Sequence, residues 1–151
     1  MFAAGVTLKT ENVPAFKERF EEFVSNNIRE DQLSPTILID AKLELCDITP
    51  KLFRILKQFQ PFGPENMAPV FLTKNVVDNG CGRVVGTSGE HLKLELIQEA
   101  EPFRVYPAIG FQLAHHHKFV SKGNPFDICY SIEENEFRGN TILQIRLRDI
   151  K

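Results

Sequence analysis

Hydrophobic residues recur at two different periods along this chain, and the change falls in a proline-rich stretch at residues 60–71. Before it, Val13, Phe16, Phe20, Phe23, Val24 and Ile28 stand three and four residues apart, with Lys17, Glu18, Arg19, Glu21 and Glu22 between them. That spacing predicts an amphipathic helix whose aromatic stripe faces a core. Residues 10–12 offer its cap, Pro14 falls in the first turn, where a missing N–H is harmless, and Asn26 and Asn27 end it. Short apolar runs at residues 36–40 and 42–45 predict two strands. Asp47, Ile48, Thr49 and Pro50 then read as a cap with proline at the first helical position. Leu52, Phe53, Ile55, Leu56 and Phe59 supply the stripe of a second helix.

Pro61, Gly63, Pro64 and Pro69 cannot continue that helix or sit in a central strand, because each proline lacks a donor and biases its predecessor toward extended geometry. An apolar Phe62 among them predicts an ordered connector packed between the two halves, unlike a Gly/Ser linker. From residue 70 the period is two. Residues 70–77 form a strand, Asn79 and Gly80 are a hairpin signal, and residues 82–86 return. After a turn at 87–90, residues 91–97 put Leu92, Leu94 and Leu96 on one face and His91, Lys93 and Glu95 on the other. Residues 103–111 extend again, bent or edge-lying because of Pro107. Residues 111–122 predict a short helical insert. Phe126, Ile128, Tyr130 and Ile132 then alternate, as do Leu143, Ile145 and Leu147 against Gln144, Arg146 and Arg148. The pattern is that of a small β-barrel with a helical insert before the last two strands.

Composition narrows the chemistry. The 151 residues carry a net charge of −2, and division at Pro64 leaves 8 basic against 9 acidic residues before it and 10 against 11 from it onward. A nucleic-acid surface must therefore be local, since bulk charge supplies none. Cys46, Cys81 and Cys129 are odd in number and lack metal-ligand spacing, as free thiols in a reducing cytoplasm do. No apolar run approaches the ~20 residues of a membrane helix, so the chain reads as soluble and cytoplasmic with no membrane partner. His115, His116 and His117 cannot share one ion on a helix, because neighbours there point about 100° apart. Phosphate loops, His-Glu-x-x-His and nucleophile elbows are absent from the sequence. Glu133, Glu134 and Glu136 read as a solvated turn.

Three stretches resemble one family. Residues 61–66, Pro-Phe-Gly-Pro-Glu-Asn, followed by Pro69-Val70-Phe71, look like the junction in the RecJ family of DHH phosphoesterases where a DHHA1 domain meets an OB-fold. Residues 1–8 look like the end of its Gly-Gly-His-x-x-Ala-Ala-Gly motif, without the histidine. Residues 133–140 and 143–150 look like the last two OB strands. The resemblance implies an α+β chain: a truncated α/β DHHA1 remnant over residues 1–64, then an antiparallel five-stranded OB-fold β-barrel over 65–151. It implies that Ala3, Ala4 and Gly5 line the floor beside the catalytic cleft. The parent it implies is a 5′-to-3′ single-stranded-DNA exonuclease of DNA repair and recombination, using Mn²⁺ or Mg²⁺ on upstream carboxylates. The present residues would then hold no metal, carry no catalytic residue and be inert alone.

OB-folds hold single strands with cations that track phosphates and aromatics that stack on bases. The outward cations are Lys74, Arg83, Lys93, Arg146 and Arg148, with Lys118 and Lys122 on the insert and Arg138 in the last turn. Phe103, Tyr106 and Phe137 are the aromatics not assigned to the core. Arg146 and Arg148 should share one strand face about 6–7 Å apart. Contact with phosphate and solvation that discourages edge aggregation both fit this pair. Two other functions stay open: a DHH phosphoesterase acting on short oligonucleotides, and an OB module docking a single-strand-binding protein or helicase.

Overall fold

The computed structural model describes residues 5–33, 36–137 and 139–151, except the side chains of Glu30, Asp31, Phe137 and Asn140. The chain forms two compact units, Met1–Ile37 and Leu38–Lys151.

In the first unit, a 3₁₀ turn at Thr10–Asn12 leads into α1 (Val13–Asn27), followed by α2 (Glu30–Leu33). Pro14 occupies the first turn of α1, and Asn27 Nδ2 donates to the Phe23 carbonyl at 2.7 Å near its end. The helix forms where its pattern predicts, but its stripe is not a core face. Phe16, Phe20 and Phe23 are 40%, 57% and 66% exposed, and no residue of α1 is buried. Periodicity is local, whereas burial needs enough chain to close over the stripe, and a unit this small holds too little.

In the second unit, β1 (Ala41–Lys42) runs parallel to β2 (Phe71–Asp78). It is shorter than the two strands expected around it, because a 3₁₀ turn at Leu45–Asp47, boxed by Glu44 and Asp47, takes over. The predicted second helix is α3 (Pro50–Lys57), with the Thr49 hydroxyl accepting from Leu52 N–H. It buries Phe53 and packs Leu52 and Leu56 against the core. The proline-rich connector lies within this unit rather than between the two, and Asn66 Nδ2 orders it by donating to the carbonyls of Phe59 and Pro61 at 2.8 and 2.9 Å.

The remaining strands are β3 (Arg83–Val85), β4 (His91–Gln98), β5 (Glu101–Gly110), β6 (Phe126–Phe137) and β7 (Asn140–Ile150). A second 3₁₀ turn, Ala114–His116, and α4 (His117–Val120) precede β6. The sheet has seven strands in the order β1-β2-β6-β7-β5-β4-β3, and β2 also pairs with β4. The ladders therefore return on themselves through β2, β6, β7, β5 and β4. Because β5–β7 and β1–β2 are parallel, the sheet is mixed, where the sequence predicts five antiparallel strands.

Asn79 and Gly80 do not make the expected hairpin. Gly80 has a φ of +79°, yet β3 pairs with β4, through Arg83↔Lys93, and β2 pairs with β4 on its own account, through Val76↔Gln98 and Asp78↔Leu96. The Asp78 carboxylate decides this by accepting from Gly82 N–H at 2.8 Å and Glu95 N–H at 3.1 Å. A Cβ on Gly82 would meet Asp78 Oδ2 at 2.9 Å, so only glycine fits there without a shift.

The inward alternation holds on β4, where Leu92, Leu94 and Leu96 are all 0% exposed, and on β6, with Phe126, Ile128 and Tyr130. Each such side chain contributes about 1.5–3 kcal/mol by leaving water. Tyr130 Oη shares a 2.8 Å hydrogen bond with the Thr73 hydroxyl, and burial, opposed by that hydroxyl, pushes its ionisation up to about 12.

Leu94→Ala should lower unfolding stability by about 2–5 kcal/mol, read as a fall in denaturant midpoint at constant slope. The raised Tyr130 value also fixes a pH effect. The unfolded phenol ionises near its ordinary value of 10, so the Tyr130 contribution is complete below that pH and is lost as pH rises through about 12. Denaturation followed across this range should show stability falling with pH, and Tyr130→Phe should flatten the fall; equal slopes in both proteins would contradict it.

Candidate nucleic-acid interface

Because Leu92, Leu94, Ala108, Ile145 and Leu147 point inward, the residues between them point out. The pairings then run in one line: Arg83 opposite Lys93, Lys93 opposite Ile109, Ile109 opposite Arg146, and Arg146 opposite Ser131. Neighbouring strands are about 4.8 Å apart, so three cations lie along a row crossing β3, β4, β5 and β7. Beside it, Phe111 meets His91 edge-on with ring centroids 5.0 Å apart, and the Arg146 guanidinium sits 5.1 Å from the Phe111 centroid. His91 Nδ1 accepts from Gln112 N–H at 3.3 Å, and its Nε2 lies 3.5 Å from Glu90 Oε1. Arg146 also pairs with Glu133 at 3.0 Å, both about four-tenths exposed. A half-exposed pair of this kind is held loosely enough for a phosphate to compete for the arginine.

Of the predicted contacts, the row gathers Arg83, Lys93 and Arg146. Arg148 leaves it. Tyr130 pairs with Leu147 but Cys129 pairs with Asp149, so Arg148 is the extra residue of a β-bulge. It is exposed, but the alternation that would put it directly along the strand from Arg146 is broken there. Lys74 stands on β2 in another irregular stretch, 3.9 Å from Asp127 Oδ2. Lys118 is exposed on α4. The insert itself is tied to the β3–β4 hairpin through His117 Nε2 with the Gly82 carbonyl and Ala114 N–H with the Glu90 carbonyl, both at 3.3 Å.

Tyr106 is not a stacking surface. It is 5% exposed and belongs to the core, its hydroxyl donates to Glu101 Oε2 at 2.9 Å, and burial, reinforced by that bond, drives its ionisation well above the ordinary range. Phe103 is 99% exposed but six residues along β5 from Ile109, about 20 Å in strand geometry. Ala3, Ala4 and Arg138, and the Phe137 side chain, lie outside the described residues. Gly5 is exposed, and a Cβ there would touch nothing within 4 Å.

The sequence pattern sets His91 on the outward face without marking it as a contact, and it passes over Phe111. Both follow from the phase of β4 and β5, but the rule that Phe111 ends a strand and opens the insert hid its outward position. The rings of His115 and His116 lie 4.2 Å apart, tilted by 42°, and burial, aided by His115, lowers the ionisation of His116. Among the described residues no group of three or more His, Cys, Asp or Glu is placed to hold a metal ion.

A mixed sheet whose ladders return on themselves, with a helical insert before its last two strands and outward cations on β3, β4 and β7, has the layout of an OB-fold module. The family model for the RecJ OB domain matches residues 39–149, and the chain belongs to that family. Relatives include the single-stranded-DNA-specific exonuclease RecJ of Bacillus subtilis, 26% identical over 147 residues, which cover 97% of this chain and 18% of that protein. The RecJ of Escherichia coli K12 is 25% identical over 151 residues, 98% of this chain and 25% of that one. The chain thus spans about a fifth to a quarter of the length of these relatives. In the crystal structure of Thermus thermophilus RecJ with Mn²⁺ a matching region has a TM-score of 0.66 at 18% identity, covering 96% of this chain and 20% of that one, a likeness of fold.

Tyr106→Phe should leave oligothymidine affinity within about twofold while costing about 1 kcal/mol of stability through the lost Glu101 bond. A tenfold loss of affinity in this variant would return Tyr106 to the interface.

Proposed function

We propose that this chain is the single-strand-holding portion of a 5′-to-3′ single-stranded-DNA exonuclease of RecJ type, working in DNA repair and recombination. Catalysis, with Mn²⁺ or Mg²⁺ on carboxylates, belongs in this reading to a part outside these 151 residues, and the residues ahead of the OB-fold are the end of a DHHA1 domain. The observation that carries the reading is the row of Arg83, Lys93 and Arg146 beside the half-exposed Phe111. On a chain with a net charge of −2, this is a local cationic track with a stacking surface next to it. Such a track holds any sequence, because phosphates repeat and every base has a π-face. The names of the relatives, single-stranded-DNA-specific exonucleases, agree with that chemistry.

Titration of a fluorescent oligothymidine at several salt concentrations tests it. Binding should be weak and steeply salt-dependent, and Lys93→Ala and Arg146→Ala should each lower the slope of log K against log salt by about 0.7, the value for one phosphate contact on a single strand. Unchanged slopes in both variants would contradict the assignment. Incubated with oligonucleotide and Mn²⁺ or Mg²⁺, the chain should release no nucleotides; divalent-dependent release that copurifies with it would overturn the division of labour.

A further inference from the structure

The cationic row does not end at Arg146. The next position across the ladder is Ser131 on β6, and Ser131 faces outward, since its neighbours Tyr130 and Ile132 point into the core. It is nevertheless 2% exposed, and it shares the lining of one cavity with residues of α3 and the proline-rich connector. The cavity is about 260 Å³, with Phe62 and Phe71 in its walls and Gln60 and Lys57 among its polar lining. Ser131 and Glu133 line it from β6, and Glu133 is the residue that holds Arg146. Among the described residues the Ser131 hydroxyl has no hydrogen-bond partner. A buried polar group left this way costs free energy that a native structure rarely leaves unrecovered.

Resting on the single-strand reading, we infer that this cavity is a nucleobase pocket, which takes one base of the strand whose phosphates follow Arg83, Lys93 and Arg146. The volume is below the roughly 300–1,000 Å³ of pockets for drug-sized ligands, and suits one flat ring system. Aromatic walls give the ring faces to lie against. The hydroxyl of Ser131 and the amide of Gln60 each both donate and accept, so they can meet the edge of any base and the pocket need not select a sequence. Arg146 neutralises Glu133 at the mouth, which lets the anionic backbone pass a carboxylate. When a phosphate takes Arg146, Glu133 is freed to accept from a base N–H.

The test compares oligothymidine with a strand of the same length whose sugars carry no bases, for the full chain and for Ser131→Val and Phe62→Ala. The wild type should prefer the strand with bases, and each variant should narrow that preference by about tenfold, the loss expected for one base contact, without changing the salt slope. A preference unchanged in both variants, while Arg146→Ala still lowers the slope, would overturn the pocket and leave the cationic row standing. Binding of neither strand by the wild type would overturn both. If Ser131→Val fails to fold by circular dichroism, Phe62→Ala, at a half-buried position, decides between these outcomes alone.

Discussion

The fold turns on the return of the ladder from β4 to β2. Two buried polar side chains hold that closure. Asp78 accepts from the backbone of Gly82 and Glu95, and Gln98 accepts from Leu45 N–H at 2.9 Å while donating to the Lys74 carbonyl at 3.0 Å and to Glu44. Every one of these groups would cost about 1–3 kcal/mol if buried without its partner, so they are satisfied together or not at all. With the ring closed, no strand can slip, because a shift of one residue would turn its apolar face to water. That fixed register sets Lys93, Ile109 and Arg146 in one line although they come from three separate parts of the sequence.

What the sequence showed plainly was whatever depends on neighbours. The Thr49 cap and Pro50, the three leucines of β4 and the alternation of β6 are short-range patterns, and they form as written. The partner of each strand was not visible. Gly80 carries the positive φ its type favours, but which strand comes next in the sheet was decided by Asp78, whose role appears only once β4 is beside it. The bulge at Arg148 was hidden for the same reason: it exists to bring both Leu147 and Ile150 inward, a demand set by β6. Tyr106 misled because Pro107 suggested an edge. It packs instead between β4 and β7, on a strand whose β7 ladder begins only at Ala108. On α1 the error ran the other way, since a correct helix was given a core that its own unit does not contain.

The interface is electrostatically modest, and that bears on how it works. Arg146 is shared between Glu133 and the face of Phe111, Lys74 leans toward Asp127, and Glu90 and Glu95 stand among the cations. Exposed pairs like these are worth about 0–1 kcal/mol, so a strand can exchange them for phosphates at little cost, and salt will weaken what forms. On the proposed single-strand reading, such a surface favours holding a strand while it moves over gripping it in one register.

Amide chemical-shift mapping of the isotopically labelled chain, titrated with oligothymidine, tests the cationic row most directly, because it reports every position at once. Shifts concentrated at Arg83, Lys93, Ile109, Phe111 and Arg146, with the buried alternates Leu94 and Ala108 moving less, are the expected result. Shifts confined to α1 or to the β2 surface around Lys74, with the row unmoved, would contradict it.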